Sequence, residues 1–149
     1  MIAAMVDVVV KGTVRAAPSE VFAFLADLAN WPRWQSDMKA TTLVEGAPGT
    51  LGAVYRYTSK AMGQTIDSTV RIVKVDEPRE VAFKGEWAGM IRPSSRYLVE
   101  PAGEGTRVTL NPHPETRGPG SILAPLLTLV IRRLNRQHMA RLQEVLGRR

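Results

Sequence analysis

The sequence predicts an α+β fold in which an antiparallel sheet curves around one long helix at the end of the chain. Between residues 121 and 149 apolar side chains recur at helical spacing, with Leu127, Leu134 and Leu142 among them. Ahead of this helix, short alternating segments are separated by Gly and Pro turns, a pattern typical of strands. Since one helix cannot bury its own apolar stripe, we expect the sheet to cover it.

The terminal helix is predicted to begin at Ser121, which is a suitable N-cap residue, and to end at Arg149. Its first turns, 122–131, are apolar on nearly all sides, which fits either deep burial or an apolar mouth. This stretch is far shorter than the roughly 20 residues of a membrane span. The predicted buried stripe consists of Leu123, Leu127, Val130, Ile131, Leu134, Met139, Leu142, Val145 and Leu146, with His138 among them.

The composition predicts a single globular domain, 1–149. Hydrophobic residues make up 44% of the chain and charged residues 23%, which excludes disorder as its main description. The sequence has no cysteine, which excludes disulfides, thiolate metal ligands and cysteine nucleophiles and favours a cytoplasmic location. The N-terminus lacks a basic leader and a small-residue cleavage site, so no signal peptide is predicted.

The net charge of +6 would permit binding to nucleic acid or to an anionic membrane. Lys and Arg are spread along the chain without a nucleic-acid-binding motif, so no nucleic-acid partner is predicted. Arg132, Arg133 and Arg136 on the polar side of the last helix leave a transient contact with an anionic membrane or an acidic partner as an alternative. The simpler interpretation is a solvated basic face. A monomer and a dimer are both compatible with the sequence.

The first part of the chain predicts one strand followed by two short helices. Residues 5–15 alternate, with Val6 and Val14 among the inward positions and Val9 an exception. The period changes at 17–20, where Pro18 precedes an apolar pattern of helical spacing. The segment 30–34 interrupts this helix and starts another short one.

Hairpin geometry predicts which side chains face the helix. A four-residue loop around Met62-Gly63 places Tyr57 opposite Ser68, and a slip of one residue would mix apolar and charged side chains on both faces. Continuing this register through the following turns predicts the pairs Ser59 with Ile66, Tyr55 with Val70, Ile72 with Phe83 and Val70 with Gly85. The later strands add Ser95, Tyr97, Val99, Thr106, Val108 and Leu110 to the same face.

This inner face carries more hydroxyl groups than a packed core uses. Aromatic walls with a few separated polar groups are typical of a small-molecule pocket. The alternative is that the tyrosine hydroxyls reach past the sheet edge into water. We therefore predict a pocket between the sheet and the helix.

Several short motifs resemble the START-related polyketide cyclase/dehydrase-like superfamily, SRPBCC, over essentially the whole chain. They are Ala-Pro-Ser-Glu-Val-Phe at 17–22, Asp27 with Asn-Trp-Pro-Arg-Trp at 30–34, Leu51-Gly52, Val-Asp-Glu-Pro-Arg at 75–79 and Gly-Thr-Arg-Val-Thr at 105–109, followed by a long helix. The resemblance implies a helix-grip fold, in which a seven-stranded antiparallel sheet curves around the C-terminal helix and two short helices follow the first strand. It also implies hydrophobic ligands such as lipids, sterols, quinones or aromatic polyketides.

The predicted function is binding or transport of such a hydrophobic molecule in the cavity between sheet and helix. Trp34 and Trp87 are expected near its entrance. The predicted ligand-contacting residues are Trp34, Tyr55, Tyr57, Ser68, Val70, Phe83, Trp87, Ser95, Tyr97, Val108, Leu127, Ile131, Leu134 and His138.

A polyketide cyclase or aromatase acting in the same cavity is the alternative. Acid–base chemistry needs a titratable group inside the cavity, and His138 and Tyr97 are the candidates. No further titratable residues accompany them at a spacing typical of a catalytic site, so no catalytic residue is assigned. A lone histidine on an apolar face is usually a core residue with one hydrogen-bond partner. Asp27 and Asp37, near the tryptophans, are further candidate acids, but Asp27 is expected to cap the next short helix.

Metal binding is not predicted. The sequence has two histidines, His113 and His138, and no carboxylate lies at helical spacing from His138 on the apolar stripe. A glycine-rich phosphate-binding loop is also absent, so no cofactor is predicted.

Overall fold

The computed structural model describes residues 4–61 and 63–147. Met62 of the predicted hairpin loop and Arg149 at the predicted helix end lie outside the described residues. The strands are β1 (Ala4–Met5), β2 (Val10–Val14), β3 (Met38–Glu45), β4 (Val54–Ala61), β5 (Gln64–Asp76), β6 (Glu80–Gly85), β7 (Ile91–Arg92), β8 (Ser94–Ala102), β9 (Gly105–Pro112) and β10 (Glu115–Thr116). The helices are α1 (Pro18–Ala26), α2 (Trp31–Trp34) and α3 (Ala124–Gly147), with single 3₁₀ turns at Leu28–Asn30 and Gly118–Ser121.

Seven antiparallel strands form the main sheet in the order β2-β9-β8-β6-β5-β4-β3, and α3 packs against β2 and β9. The predicted register is confirmed, since Tyr57 pairs with Ser68, and Gly85 pairs with Val70. The remaining predicted pairs, Ser59 with Ile66, Tyr55 with Val70 and Phe83 with Ile72, are also observed. The register could be predicted because only one alignment of these hairpins gathers the apolar side chains on a single face.

The connection between β2 and β3 contains the predicted pair of short helices, α1 and α2. Pro18 occupies the first turn of α1, where its missing N–H leaves no hydrogen bond unmade. The Asp27 carboxylate accepts a hydrogen bond from the backbone N–H of Ala29 at 3.1 Å and caps the 3₁₀ turn, as predicted. The chain then enters α2, which packs against β3 and α3. These short helices therefore close one side of the space between sheet and α3.

The start of α3 differs from the prediction. The helix begins at Ala124, and Ser121 lies in the preceding 3₁₀ turn, where its hydroxyl accepts a hydrogen bond from Thr116. Pro125 in the first turn explains the boundary, because proline is accepted there but not farther inside a helix. The N-cap prediction for Ser121 is therefore wrong.

The apolar stripe of α3 is buried over only part of its length. The fully buried residues, His138, Met139, Leu142 and Leu146, all lie in its second half. Leu123 and Val130 were predicted to be buried and are exposed, because the sheet and α2 cover the later turns of the helix. None of the helices that the structure describes combines the length and the apolar character needed to cross a membrane.

A second, three-stranded sheet in the order β1-β10-β7 was not predicted. Its strand β10 lies within 111–120, a segment rich in proline and glycine. Strands of two residues are too short to show an alternation in the sequence. This small sheet holds the segment that leads into α3 against the N-terminal strand.

At Gly12 side chains of α3 lie directly against the backbone of β2. A Cβ atom at this position would lie 2.6 Å from the Met139 Sδ atom and 3.1 Å from the Gln143 Nε2 atom. Both distances are shorter than van der Waals contact, so a side chain at residue 12 would push the helix or its side chains away. Glycine thus places the buried half of α3, including His138, directly against β2.

We predict that Gly12→Ala lowers the free energy of unfolding by about 1–2 kcal/mol, the usual cost of overpacking a buried contact that can partly rearrange. Gly147→Ala is the matched control, because nothing lies within 4 Å of a Cβ atom built at that helical position. Urea unfolding of the three proteins provides the measurement. Equal stability of Gly12→Ala and the wild type would show that the contact does not limit packing.

Candidate functional site

A cavity of about 270 Å³ is lined by residues of the main sheet, α2 and α3. Its walls are mostly apolar. It is partly open to solvent, and the exposed residue Ile91 is part of its lining. Eight of the residues predicted to contact a ligand line it, namely Tyr57, Val70, Phe83, Ser95, Tyr97, Ile131, Leu134 and His138. The alternation in the strands and the helical spacing in α3 thus bring these side chains to one space.

The other six predicted residues lie outside this lining. Trp34 is not at an entrance, because it is fully buried and packs edge-on against the rings of Tyr97 and His138. Its indole nitrogen has no hydrogen-bond partner among the described residues. Trp87 lies in the loop after β6, where the Arg117 guanidinium stacks 4.4 Å from its ring.

Tyr55 is turned to a different part of the core. Its hydroxyl donates to the Asp27 carboxylate at 3.0 Å and accepts from the backbone N–H of Gly49 at 3.1 Å. The alternation placed Tyr55 on the correct face of the sheet, but its position along the strand carries it past the cavity. Val108 belongs to the packed core, Ser68 is half-buried opposite Tyr57, and Leu127 packs against the core near the start of α3.

The polar centre of the cavity is the Tyr97 hydroxyl. Its oxygen accepts a hydrogen bond from the Trp31 indole N–H at 3.0 Å and another from the Gln35 side-chain amide at 3.1 Å. In both hydrogen bonds the Tyr97 oxygen is the acceptor, so the hydroxyl can still donate its own proton to another group. No acceptor for this proton is found among the residues that the structure describes. Because Tyr97 lines the cavity, the proton is available to an oxygen atom of a bound molecule.

Burial keeps this hydroxyl protonated. The loss of hydration raises the pKa of Tyr97 well above its ordinary value, and the nearby Asp37 carboxylate raises it further, while the hydrogen bonds from Trp31 and Gln35 oppose the shift. Burial also raises the pKa of Tyr57. The two tyrosines of the cavity wall are therefore neutral hydrogen-bonding groups near neutral pH.

A second polar group is the pair formed by His138 and Asp37. The Nε2 atom of His138 lies 2.9 Å from an Asp37 carboxylate oxygen, and both residues line the cavity. An ionised carboxylate accepts a hydrogen bond from Nε2–H, so the neutral imidazole then has its lone pair on Nδ1. No hydrogen-bond partner for Nδ1 is found in the described part of the chain. The pair has the arrangement of a base held by a carboxylate.

Aromatic rings form a continuous wall behind these polar groups. The centroids of Trp31 and Phe83 are 5.1 Å apart, those of Phe83 and Tyr97 5.3 Å, and those of Trp34 and Tyr97 5.4 Å, all in edge-to-face geometry. Such contacts restrict ring rotation and stabilise each pair beyond its buried area. The wall therefore holds the Tyr97 hydroxyl in a defined position.

In the segment that joins α2 to β3, sequence reasoning named Asp37 as a candidate acid but missed Gln35 and did not pair Asp37 with His138. Gln35 and Asp37 both line the cavity, and Gln35 positions the Tyr97 hydroxyl. Only carboxylates on the same helix were considered as partners of His138, whereas Asp37 reaches it from another element. A polar Gln-Ser-Asp run directly after two tryptophans was the available signal. In the ranges 4–61 and 63–147 no group of three or more His, Asp or Glu side chains is arranged to hold a metal ion.

Comparison with known proteins confirms the resemblance seen in the sequence. The family described as "Polyketide cyclase / dehydrase and lipid transport" matches residues 5–147. None of the curated proteins compared matches the chain.

Solved structures show the same fold at low sequence identity. The Zhui aromatase/cyclase from Streptomyces sp. R1128 is 20% identical with a TM-score of 0.81, covering 98% of this chain and 96% of that one. A protein from Thermus thermophilus is 21% identical with a TM-score of 0.77, covering 93% of this chain and 94% of that one. A START superfamily protein from Mycobacterium smegmatis is 16% identical with a TM-score of 0.73, covering 95% of this chain and 98% of that one. These structures confirm the predicted helix-grip fold.

We predict that Tyr97 makes the protein sensitive to alkali. Below about pH 10 Tyr97 is protonated in both the folded and the unfolded chain, so its full contribution to the free energy of unfolding is present and does not change with pH. Above that pH the unfolded chain loses the proton first, because the pKa is raised only in the folded state, and stability falls as the pH rises. At about pH 11 the loss due to this residue is about 1 kcal/mol.

Urea unfolding at about pH 8 and about pH 11 measures this loss. Tyr97→Phe leaves two buried donors without an acceptor and is expected to be less stable at both pH values, by about 1–3 kcal/mol. Its stability should nevertheless change less between them than that of the wild type. A residual change is expected from Tyr55 and Tyr57, whose pKa values are also raised by burial. An equal change in both proteins would contradict the assignment.

Proposed function

This chain belongs to the polyketide cyclase/dehydrase and lipid transport family, and from that premise we propose that it binds an apolar small molecule with one oxygen acceptor. The observation that carries the proposal is the Tyr97 hydroxyl, a protonated donor fixed by two hydrogen bonds in the wall of an apolar cavity. Burial of the apolar part of the ligand supplies most of the affinity, at about 25 cal/mol per Å². The hydroxyl supplies orientation.

The volume of the cavity narrows the range of ligands. An apolar cavity of about 150 Å³ is known to hold benzene, whereas this one has about 270 Å³. It therefore fits a compact molecule of about two rings without rearrangement. Lipids, quinones and aromatic polyketides were all predicted from the resemblance, and the cavity favours the smaller quinones and bicyclic aromatic ketones among them.

The proposal invokes no cofactor, and a monomer and a dimer are both compatible with it. A cytoplasmic location is part of the proposal and is supported by the absence of cysteine from the sequence.

We predict that the protein binds methyl naphthyl ketone about five- to tenfold more tightly than isopropenylnaphthalene, in which a CH2 group replaces the carbonyl oxygen. The two compounds have nearly the same shape, so the difference reports the one hydrogen bond donated by Tyr97, worth about 1 kcal/mol. Tyr97→Phe should bind both compounds about equally. Quenching of tryptophan fluorescence and isothermal titration calorimetry measure the affinities, with near-ultraviolet circular dichroism to show that the variant is folded.

The matched controls lie on α3. Leu134→Trp places a large side chain in the cavity lining and should abolish binding of both compounds. Gln137→Trp adds the same bulk to an exposed position on the same helix and should bind as the wild type does. Equal binding by these two variants, or no binding of either compound to the wild type, would contradict the proposal.

The second candidate function is acid–base catalysis on a bound ketone, which the His138–Asp37 pair favours. In this mechanism the Nδ1 atom of His138 takes a proton from the carbon next to the carbonyl, and Asp37 stabilises the imidazolium. The electron pair of the broken C–H bond moves to the carbonyl oxygen, where Tyr97 donates its hydrogen bond. Formation of such an enolate is the first step in the cyclisation of a polyketide chain.

We predict that, if this second function holds, the protein accelerates hydrogen–deuterium exchange at the methyl group of methyl naphthyl ketone in heavy water. Nuclear magnetic resonance measures the loss of the methyl proton signal. His138→Gln should retain ketone binding and lose exchange by about 10²-fold or more, the usual contribution of a general base. Exchange no faster than in a solution of free imidazole would leave the protein as a binder only.

A further inference from the structure

An apolar ridge lies exposed along the first turns of α3. Ile122, in the turn just before α3, and Leu126, Leu129 and Val130 within the helix recur at helical spacing, and they are exposed by 81%, 60%, 61% and 53%. Leu123, beside Ile122 in the same turn, is exposed as well. Isolated exposed apolar residues are normal, whereas a contiguous set of four large ones marks an interaction site. These residues are the ones that the sequence suggested would be buried or would form a mouth.

The same face of α3 becomes basic one turn later. Arg133 and Arg136 continue the spacing of the ridge and are exposed, and Arg132 beside them is half-buried. No ion pair involving these three arginines is found among the described residues. Between Glu115 and Glu144 the sequence contains no Asp or Glu. The ridge is thus followed by positive charge with no acidic group nearby along the chain.

The ridge also lies beside the cavity. Ile131 and Leu134, in the same part of α3, line the cavity together with Ile91. Leu134 follows Val130 by four residues, so it is a neighbour of the ridge on the helix surface. Ile91 and its neighbour Met90 are themselves exposed. Apolar surface therefore continues from the ridge to the open side of the cavity.

We propose that the apolar ridge and its three arginines dock the protein on an anionic lipid membrane. The ridge inserts into the boundary between headgroups and acyl chains, and the guanidinium groups contact lipid phosphates and carboxylates at the surface. A second copy of this chain is a poorer occupant, because its own ridge segment has no Asp or Glu between Glu115 and Glu144 and so brings no carboxylate to the arginines. Docking is independent of the ligand, whereas movement of an apolar ligand between bilayer and cavity rests on the proposed function.

Vesicle co-sedimentation tests this proposal. We predict that the wild type sediments with phosphatidylcholine vesicles that contain phosphatidylserine and far less with phosphatidylcholine alone, and that about 1 M salt weakens the binding. Leu126→Ser/Leu129→Ser should weaken it at least tenfold through loss of buried apolar area. Arg133→Gln/Arg136→Gln should weaken it roughly fivefold for each arginine, and only at low salt.

The matched control is Leu51→Ser/Val73→Ser, which removes two exposed apolar side chains that lie on other elements and outside the cavity lining. It should bind vesicles as the wild type does. Sedimentation of the ridge variant equal to that of the control would overturn the proposal, as would no binding of the wild type to either vesicle.

Further measurements distinguish the membrane from other partners of the ridge, and docking from ligand binding. Sedimentation velocity that shows a dimer in the wild type and a monomer in Leu126→Ser/Leu129→Ser would overturn the proposal in favour of a second copy. Binding to polyglutamate without binding to vesicles would overturn it in favour of an acidic protein. Titration with methyl naphthyl ketone should be unchanged in both ridge and arginine variants, so that a failure of docking is distinguishable from a failure of ligand binding.

Discussion

The hydroxyl of Tyr97 connects the fold of this protein to its site. Two donors from the segment of the short helix α2, Trp31 and Gln35, converge on one side-chain oxygen of strand β8. An unsatisfied buried donor or acceptor costs about 1–3 kcal/mol, so these contacts strongly favour one position of α2 over the sheet. That position closes the cavity on one side and brings Asp37 to His138. The same hydrogen bonds that stabilise the fold therefore determine the polar end of the cavity.

The long helix α3 has two halves with different roles. Its second half is buried against β2, where Gly12 allows close approach and His138 reaches the cavity. Its first half extends beyond that cover, so one side lines the cavity while the other is exposed and apolar. Ligand binding and membrane docking are thus proposed for neighbouring sides of the same helix. An apolar ligand would have only a short distance to travel between them.

Much of the fold was predictable because the strands alternate clearly. Eight predicted ligand-contacting residues line the cavity. For these residues the strand register or the helical spacing correctly predicted the face on which they lie. Tyr55 shows one limit of this reasoning, because alternation predicts which face of the sheet a residue lies on but not whether it reaches the cavity on that face. Trp34 shows a second limit, because no periodicity distinguishes a buried indole from one at a rim. The small sheet that includes β10 was missed because its strands are too short to alternate.

By itself the sequence determined the strand register, the face of the sheet that is buried and the family, since periodicity and short motifs are properties of neighbouring residues. Only the tertiary structure decided that Asp37 meets His138, that Gln35 holds the Tyr97 hydroxyl and that the ridge at Leu126 stays uncovered. Each of these depends on how separate elements pack. Contacts across 62 or 101 positions of the chain have no periodicity to reveal them.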